Sequence, residues 1–266
     1  MYATNYSKAS SLDDAVAKLN AAEDGKFLGG GQTLIATMKQ RLAAPSDVID
    51  LTKIPELKGI TVDGDTVTIG AASTHSQVAQ SDDIRRVLPV LCGLAATIGD
   101  PAVRNMGTMG GVLANNDPAA DYPAAVMALG ATIHTTKGSY TPEEYFQGMF
   151  ETALADDEII TKISFPVPKK AAYEKFRNQA SRYSLCSVFV AVLANGEPRV
   201  AVTGSGNEGV FRVAEMEQAL ASNWSADAVT GVAISPDQML SDIHGSAEYR
   251  AHLVSVLAGR AVTKAG

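Results

Sequence analysis

Apolar residues between Leu12 and Leu19 recur at intervals of three and four positions, directly after Ser10 and Ser11. This spacing behind a serine cap predicts an amphipathic helix. A short apolar segment at Phe27-Leu28 then runs into three glycines, and helical spacing resumes over residues 33–42. The glycines are therefore predicted to lie between a strand and the start of a helix, and a further strand is predicted over 47–51.

The pattern changes after residue 60. Residues 60–69 alternate on both sides of an Asp-Gly pair, which predicts a hairpin, and residues 73–98 have helical spacing. Residues 99–121 are rich in Gly, Pro, Asn and Asp without sustained periodicity, and we predict a long ligand-binding loop there. Further helices are predicted over 123–129 and from Thr141, and strands over 131–135 and 159–165.

A Pro/Lys-rich stretch at 166–170 predicts a domain boundary. Beyond it, three strands are predicted over 173–178, 186–193 and 199–203, the last two joined at Asn195-Gly196, followed by helices over 213–220 and 246–261. The chain is therefore predicted to mix helices with sheets.

Composition and charge narrow the class of protein. With 266 residues, 46% hydrophobic and 19% charged, the chain is predicted to be globular. A net charge of −7 repels a phosphate backbone, so we expect no nucleic-acid partner. No window reaches roughly 18 uninterrupted apolar residues, so we expect no integral membrane segment, and the N-terminus lacks the features of a secretion signal, so we expect a cytoplasmic protein. Two cysteines and four histidines without ligand spacing exclude a four-cysteine cluster site, so any redox chemistry needs a bound carrier.

The first glycine loop, Gly29-Gly30-Gly31-Gln32-Thr33, has no Lys after its glycines and is not a P-loop of the Walker type. Its unobstructed backbone N–H groups at the start of a helix suit a pyrophosphate. A glycine turn that merely tightens a strand-to-helix connection is the competing interpretation. We expect glycines of the two loops, such as Gly30 and Gly110, to adopt positive φ and to permit close approach of phosphate.

The second loop, residues 98–121, combines Gly110-Gly111 with hydroxyl and amide side chains and the carboxylates of Asp117 and Asp121. Such groups bind sugar and ribityl hydroxyls. Two separate glycine-rich loops indicate one extended ligand that is held at both ends.

Three other features carry weaker signals. Residues 204–209 match the dinucleotide pattern G-x-G-x-x-G, but the preceding strand already pairs in a hairpin and Glu208 would place a negative charge beside a pyrophosphate. Tyr183 is either a core aromatic residue or a ring that covers a planar ligand. His75 and His134 fall inside predicted helix or strand segments, so no general base is evident.

Taken in order along the chain, several segments resemble the FAD-binding medium subunit of molybdenum hydroxylases of the carbon monoxide dehydrogenase and xanthine dehydrogenase type. The matching segments are residues 29–34, 98–101, 103–111, 117–125, 157–160, 200–204 and 248–250. The resemblance covers nearly the whole chain. The sequence departs from the family at two positions: many members have His or Asn in place of Gln32, and Ser in place of Thr33. These exchanges keep the hydrogen-bonding capacity of both positions.

The resemblance implies an α+β fold with two FAD-binding lobes and a C-terminal three-stranded antiparallel sheet with helices. The implied domains are an N-terminal α/β lobe over 1–56, a middle α/β lobe over 57–168 and a C-terminal α+β domain over 169–266. FAD is implied between the first two, with pyrophosphate on the glycine loops, hydroxyls at Asp121, and Tyr183 beside the isoalloxazine. The implied cofactor-binding residues are Leu28, Gly29, Gly30, Gly31, Gln32, Thr33, Leu34, Ile98, Arg104, Gly107, Thr108, Gly110, Gly111, Asn115, Asp117, Asp121, Ile159, Ile160 and Tyr183.

The resemblance also implies a function and partners. The chain would pass electrons from [2Fe-2S] clusters on an iron–sulfur small subunit through FAD to an external acceptor. A molybdopterin large subunit would complete the complex, in a dimer of heterotrimers. A stand-alone FAD-dependent oxidoreductase and a non-catalytic dinucleotide-binding protein that uses residues 204–209 are the competing hypotheses.

Overall fold

The N-terminal lobe in the computed structural model, which describes all 266 residues, is a small parallel sheet flanked by two helices. Strand β3 lies between β1 and β2 and pairs with both in parallel, so that Asp47 lies opposite Asn5 and Gly25. The hydroxyl of Ser11 accepts from the N–H of Asp14 at 3.1 Å and caps the predicted first helix. The elements are β1 (Asn5–Lys8), α1 (Leu12–Ala21), β2 (Gly25–Leu28), α2 (Leu34–Lys39) and β3 (Asp47–Asp50).

The middle lobe is built on a five-stranded antiparallel sheet in the order β4-β5-β10-β6-β7. A 3₁₀ turn at Pro55–Leu57 connects it to the N-terminal lobe. Its strands are β4 (Ile60–Asp63), β5 (Thr66–Gly70), β6 (Thr132–Thr135), β7 (Ser139–Tyr140) and β10 (Ile160–Pro166), with a separate hairpin of β8 (Phe146–Gly148) and β9 (Glu151–Thr152). Its helices are α3 (His75–Gln80), α4 (Asp82–Val87), α5 (Pro89–Ala96), α6 (Pro101–Met106), α7 (Met109–Asn115), α8 (Tyr122–Leu129) and α9 (Pro142–Tyr145).

Two sequence predictions for this lobe need correction. The helical pattern over 73–98 is three helices, because Ser81 starts a new helix by capping Ile84 and Pro89 starts another. The prediction of a long loop over 99–121 is also wrong, because this segment forms the two helices α6 and α7. Asp100 and Thr108 cap these helices, and burial of Met109 and Leu113 supports a glycine-containing helix that intrinsic propensity disfavours.

The C-terminal lobe is an antiparallel sheet with helices packed on one face. The predicted three strands are present, and the two-residue strand β14 extends the sheet to the order β11-β12-β13-β14. Phe189 and Ala191 face the core shared with the other two lobes, while Val188 and Val190 face a second core under α10–α12. The elements are β11 (Lys170–Arg177), β12 (Ser184–Val192), β13 (Pro198–Thr203), β14 (Phe211–Arg212), α10 (Ala214–Ser222), α11 (Ala226–Thr230), a 3₁₀ turn (Pro236–Gln238) and α12 (Ala247–Ala265).

Alternate side chains of β12 enter the two apolar cores, so the sheet is packed on both faces. This packing places β11 and the turn after it beside the middle lobe. The three large sheets fall within residues 5–50, 60–166 and 170–212, and the domain boundaries at 56 and 168 remain a prediction.

Candidate functional site

A cavity of about 500 Å³ lies where the N-terminal lobe, the middle lobe and the β11–β12 turn meet. It is lined by every residue of the predicted cofactor site except Arg104. These lining residues are Leu28, Gly29, Gly30, Gly31, Gln32, Thr33 and Leu34 from the N-terminal lobe, Ile98, Gly107, Thr108, Gly110, Gly111, Asn115, Asp117, Asp121, Ile159 and Ile160 from the middle lobe, and Tyr183 from the turn.

Arg104 is not among the residues that line the cavity, but it stabilises the turn that carries one of them. One of its guanidinium nitrogens donates to the carbonyls of Ile98 and Gly99, at 2.9 and 3.2 Å. Gly99 has φ of +49°, a conformation that glycine adopts without strain. Arg104 therefore fixes the turn that presents Ile98 to the cavity.

The first glycine loop presents free hydrogen-bond donors. None of the backbone N–H groups of residues 29–33 donates a hydrogen bond within the protein, and neither does the N–H of Thr108. Backbone donors that lack a protein partner are rare unless water or a ligand satisfies them. Successive free N–H groups beside a cavity form a concave binding site for an anion.

The two glycine loops touch each other, and this contact explains why glycines are needed. A β-carbon on Gly30 would lie 2.0 Å from the carbonyl oxygen of Met106, and one on Gly29 would lie 2.9 Å from the hydroxyl of Thr108. A β-carbon on Gly110 would lie 2.6 Å from that of Ala71. We expected positive φ at Gly30 and Gly110, and this prediction is wrong for both residues. Glycine is needed there because the surrounding atoms lie too close for a β-carbon.

Asp121 lies at the cavity wall in a buried ion pair. Its carboxylate oxygens are 2.8 and 2.9 Å from Nζ of Lys175, and the hydroxyl of Tyr173 donates to it as well. Burial raises the pKa of the Asp121 carboxyl, while Lys175 and Tyr173 act in the opposite direction. Since an ionised carboxylate has about four acceptor positions, acceptor capacity remains for a ligand hydroxyl.

Tyr183 lies on the β11–β12 turn, where its carbonyl accepts from the N–H of Asn178 at 2.8 Å. Its side chain is 53% exposed while it lines the cavity, so the interpretation as a core aromatic residue is wrong. An exposed ring at the mouth of a cavity is placed to cover a planar ligand.

Sequence reasoning missed three buried polar side chains near the cavity. His75 lines it at the first residue of α3, and its Nδ1 has no hydrogen-bond partner. The hydroxyl of Tyr122, in contact with His75, also has none. Glu158 lines the cavity too, but its carboxylate accepts from Tyr140 at 3.1 Å and from the N–H of Ala155 at 3.1 Å. His75, Tyr122 and Glu158 are far apart in the sequence, and no local pattern links them to the glycine loops. The sequence therefore contained no signal that the fold brings them together near the cavity.

His75 is a poor general base despite its place at the cavity. Burial, and to a lesser extent Arg104, lowers its pKa from 6.5 to about 4, so it is neutral at pH 7. His134 lies outside the cavity and bonds through both ring nitrogens to Ser139 and Ser164.

The segment 204–209 is not part of the cavity lining. The strand before it is antiparallel to both neighbours, and the segment leads into β14 rather than directly into a helix. The N–H of Gly204 donates to the carbonyl of Pro118 at 2.7 Å. These glycines therefore form a turn that supports the cavity wall, which removes the reason to propose a nicotinamide dinucleotide site there.

No group of three or more His, Cys, Asp or Glu side chains is arranged to hold a metal ion. None of the helices combines the length and the apolar character needed to cross a membrane.

Residues 2–168 match the family model described as the FAD binding domain in molybdopterin dehydrogenase. The chain belongs to this family. The match spans both lobes that contribute glycine loops to the cavity, and it confirms the predicted FAD cofactor.

Relatives of this FAD-binding family align over nearly their full length. The chain is 35% identical to the nicotine 6-hydroxylase medium subunit of Paenarthrobacter nicotinovorans, covering 99% of this chain and 98% of that subunit. It is 34% identical to the carbon monoxide dehydrogenase medium chain of Afipia carboxidovorans, covering 98% and 96%. The prediction of a subunit of an oxidoreductase complex is therefore confirmed.

Solved structures agree with this assignment. A structure of the Cu,Mo-CO dehydrogenase in its cyanide-inactivated form contains a chain with a TM-score of 0.88 and 32% identity, covering 100% of this chain and 98% of that one. Quinoline 2-oxidoreductase from Pseudomonas putida 86 contains one with a TM-score of 0.88 and 26% identity, covering 99% and 96%. The predicted fold class is confirmed.

Proposed function

We propose that this chain is the electron-transferring FAD subunit of a molybdenum hydroxylase complex. It would take electrons from [2Fe-2S] clusters on a small subunit and deliver them, through FAD in the cavity, to an external acceptor. The observation that carries the proposal is the row of unpaired backbone N–H groups at residues 29–33, in a loop that lines the cavity and packs against the second glycine loop.

The residues around the cavity fit the successive parts of FAD. The free N–H groups of the first loop and of Thr108 would bind the pyrophosphate, and Asp121 would accept from ribityl or ribose hydroxyls. Tyr183 would cover the isoalloxazine. Apolar side chains would pack against the ring systems, namely Leu28, Leu34, Ile98, Ile159 and Ile160.

The remaining predicted residues would position the cofactor rather than react. Gly107 and Gly111 keep the two loops in contact, and Gly110 packs against Ala71. Hydrogen-bonding side chains at the cavity are supplied by Gln32, Thr33, Asn115 and Asp117. Arg104 would act indirectly, through the turn at Ile98.

Electron relay fits these side chains better than oxidation of an organic substrate by the chain alone. When bound, FAD accepts electrons singly and releases them singly or as a hydride. A stand-alone oxidase also needs a base near the flavin, and the titratable side chains at the cavity are occupied or unsuited. The carboxylates of Asp117, Asp121 and Glu158 already accept internal hydrogen bonds. The low pKa of His75 makes it a weak base.

The names of the relatives support a substrate site elsewhere in the complex. Relatives at 29 to 35% identity belong to enzymes named for nicotine, carbon monoxide, glyceraldehyde and caffeine, and no functional group is common to all four molecules. A flavin cavity shared by such enzymes has no reason to select among these molecules. We therefore place substrate selection on a molybdopterin large subunit, in a dimer of heterotrimers.

The test is to compare the pure chain with the reconstituted complex. The pure chain should show bound flavin absorbing at about 450 nm and should be reduced by dithionite, without substrate-dependent dye reduction. The complex should reduce dye with one or more of a set of aromatic heterocycles, aldehydes and carbon monoxide. Turnover by the chain alone at the rate of the complex would instead establish the stand-alone FAD-dependent oxidoreductase.

A cytoplasmic location is part of the same proposal. Cys92 and Cys186 are free and buried, as is usual in a reducing compartment, and burial raises the pKa of Cys186 to about 12. Cell fractionation with detection of the chain would test it.

A further inference from the structure

His75 at the cavity wall and Tyr122, which contacts it, bury polar atoms that have no partner. His75 is 2% exposed with Nδ1 unbonded, and Tyr122 is fully buried with its hydroxyl unbonded. Their ring centroids are 5.4 Å apart at an interplanar angle of 55°. Because buried polar atoms nearly always find a partner, two orphans in touching rings need an explanation.

The opposite edge of the His75 ring faces the second glycine loop. A β-carbon on Gly107 would lie 2.6 Å from Nε2 of His75, and the backbone N–H of His75 donates to the carbonyl of Gly107 at 3.0 Å. A bridge between Thr74 and Thr108 extends this pairing. The imidazole is therefore packed against Gly107, which lines the cavity together with Thr108.

The protonation states of the two rings are determined by burial. His75 is neutral at pH 7 because burial and Arg104 lower its pKa to about 4, and burial raises the pKa of Tyr122, which keeps its O–H. A neutral imidazole carries one N–H and one acceptor nitrogen. Neither Nδ1 nor the Tyr122 hydroxyl has a hydrogen-bond partner, so the two atoms do not bond to each other. Since an unpaired buried N–H is rarer than an unpaired acceptor, the proton belongs on Nε2, and Nδ1 is the unpaired acceptor.

We propose that His75 binds the dinucleotide directly, through a hydrogen bond from Nε2–H to a pyrophosphate oxygen at the second glycine loop. The buried ring of Tyr122 packs against the imidazole, and its hydroxyl does not bond to Nδ1. This inference rests on the proposed placement of FAD in the cavity. A neutral donor adds to the free N–H groups of the first loop without bringing a second positive charge beside Arg104.

Matched variants separate the two edges of the imidazole. In His75→Gln the amide nitrogen can take the place of Nε2, whereas in His75→Asn it can take only that of Nδ1. We expect His75→Phe and His75→Asn to weaken FAD binding about 10- to 100-fold, as expected for a lost hydrogen bond to a charged group, and His75→Gln to recover most of it. Tyr122→Phe keeps the ring that packs against the imidazole and should bind FAD like the wild type.

Ligand fragments identify which oxygen is bound. Competition by ADP against FAD should show the same loss in His75→Phe, whereas riboflavin, which has no phosphate, should bind the variant and the wild type alike. An effect with riboflavin but not with ADP would overturn the pyrophosphate assignment.

A measurement on the wild-type chain avoids any effect of substitution on folding. Nitrogen-15 NMR of the imidazole should show Nε2 protonated in the FAD-bound chain. An Nδ1–H form, wild-type affinity in a folded His75→Phe, or rescue by Asn equal to that by Gln would each refute the role of His75. Failure of the wild-type chain to bind FAD at all would refute the proposed function instead.

Discussion

Replacing Asp121 by asparagine should destabilise the protein more than any exposed charge substitution. The change keeps the shape of the side chain but removes the negative charge opposite Lys175, whose side chain is only 4% exposed. The other partner of the Lys175 ammonium is the carbonyl of Thr97, at 3.4 Å. Asp121→Asn therefore leaves a buried cation with one long hydrogen bond and a neutral amide.

The size of the effect follows from the burial of the pair. Removing one partner of a buried ion pair costs about 3–5 kcal/mol, and we expect about 3 kcal/mol here because the amide oxygen still accepts one hydrogen bond. At this chain length, that loss corresponds to a fall in Tm of about 5–10 °C. FAD affinity should fall as well, by about 1–3 kcal/mol, if ligand hydroxyls lose their acceptor.

Thermal unfolding of the FAD-free chain and titration with FAD measure the two effects separately. Asp121→Asn combined with Lys175→Met should regain most of the stability, since a neutral pair needs no charge partner, while FAD binding stays weak. Asp63→Asn, at an exposed carboxylate, is the matched control and should change stability by less than about 0.5 kcal/mol. Stability of Asp121→Asn within about 1 kcal/mol of wild type, or a double variant as unstable as the single one, would refute this reasoning.

Three further results are expected. The pKa of His75 is about 4 in the folded chain and about 6.5 in the unfolded chain, so between these pH values only the unfolded chain binds the extra proton. About 3 kcal/mol of stability should therefore be lost as the pH falls from 6.5 to 4. Unfolding measured as a function of pH should show this loss in the wild type and not in His75→Phe. Gly30→Val and Gly110→Val should eliminate FAD binding, measured as flavin per folded chain, because their β-carbons would strike backbone or Ala71, whereas Gly138→Ala, with open space around it, should bind normally. Acid precipitation should release all flavin, because a covalent linkage would need a Cys or an accessible His, whereas neither cysteine lines the cavity and the only histidine there is buried. Colour left on the denatured chain would contradict noncovalent binding.

Local signals in the sequence were enough to locate most elements and both glycine loops. The cap of α1 joins residues three apart, and the hairpin over 60–69 pairs neighbours across a two-residue turn. Such interactions depend on residues close in the chain, so periodicity and turn chemistry reveal them. The caps of α6 and α7 were visible in the same way, but glycine and polar residues outweighed them until burial of Met109 and Leu113 was known.

The chain sequence by itself located the backbone donors of the site, because glycines have no side chain and leave the backbone N–H groups of residues 29–31 unobstructed. Only the tertiary structure decided what surrounds them. Lys175 meets Asp121 from 54 positions away, and His75 meets Tyr122 from another helix. Tyr183 is exposed because of the turn that carries it. These neighbours come together through the packing of separate sheets and helices, and a pairing across such distances leaves no periodic trace in the sequence.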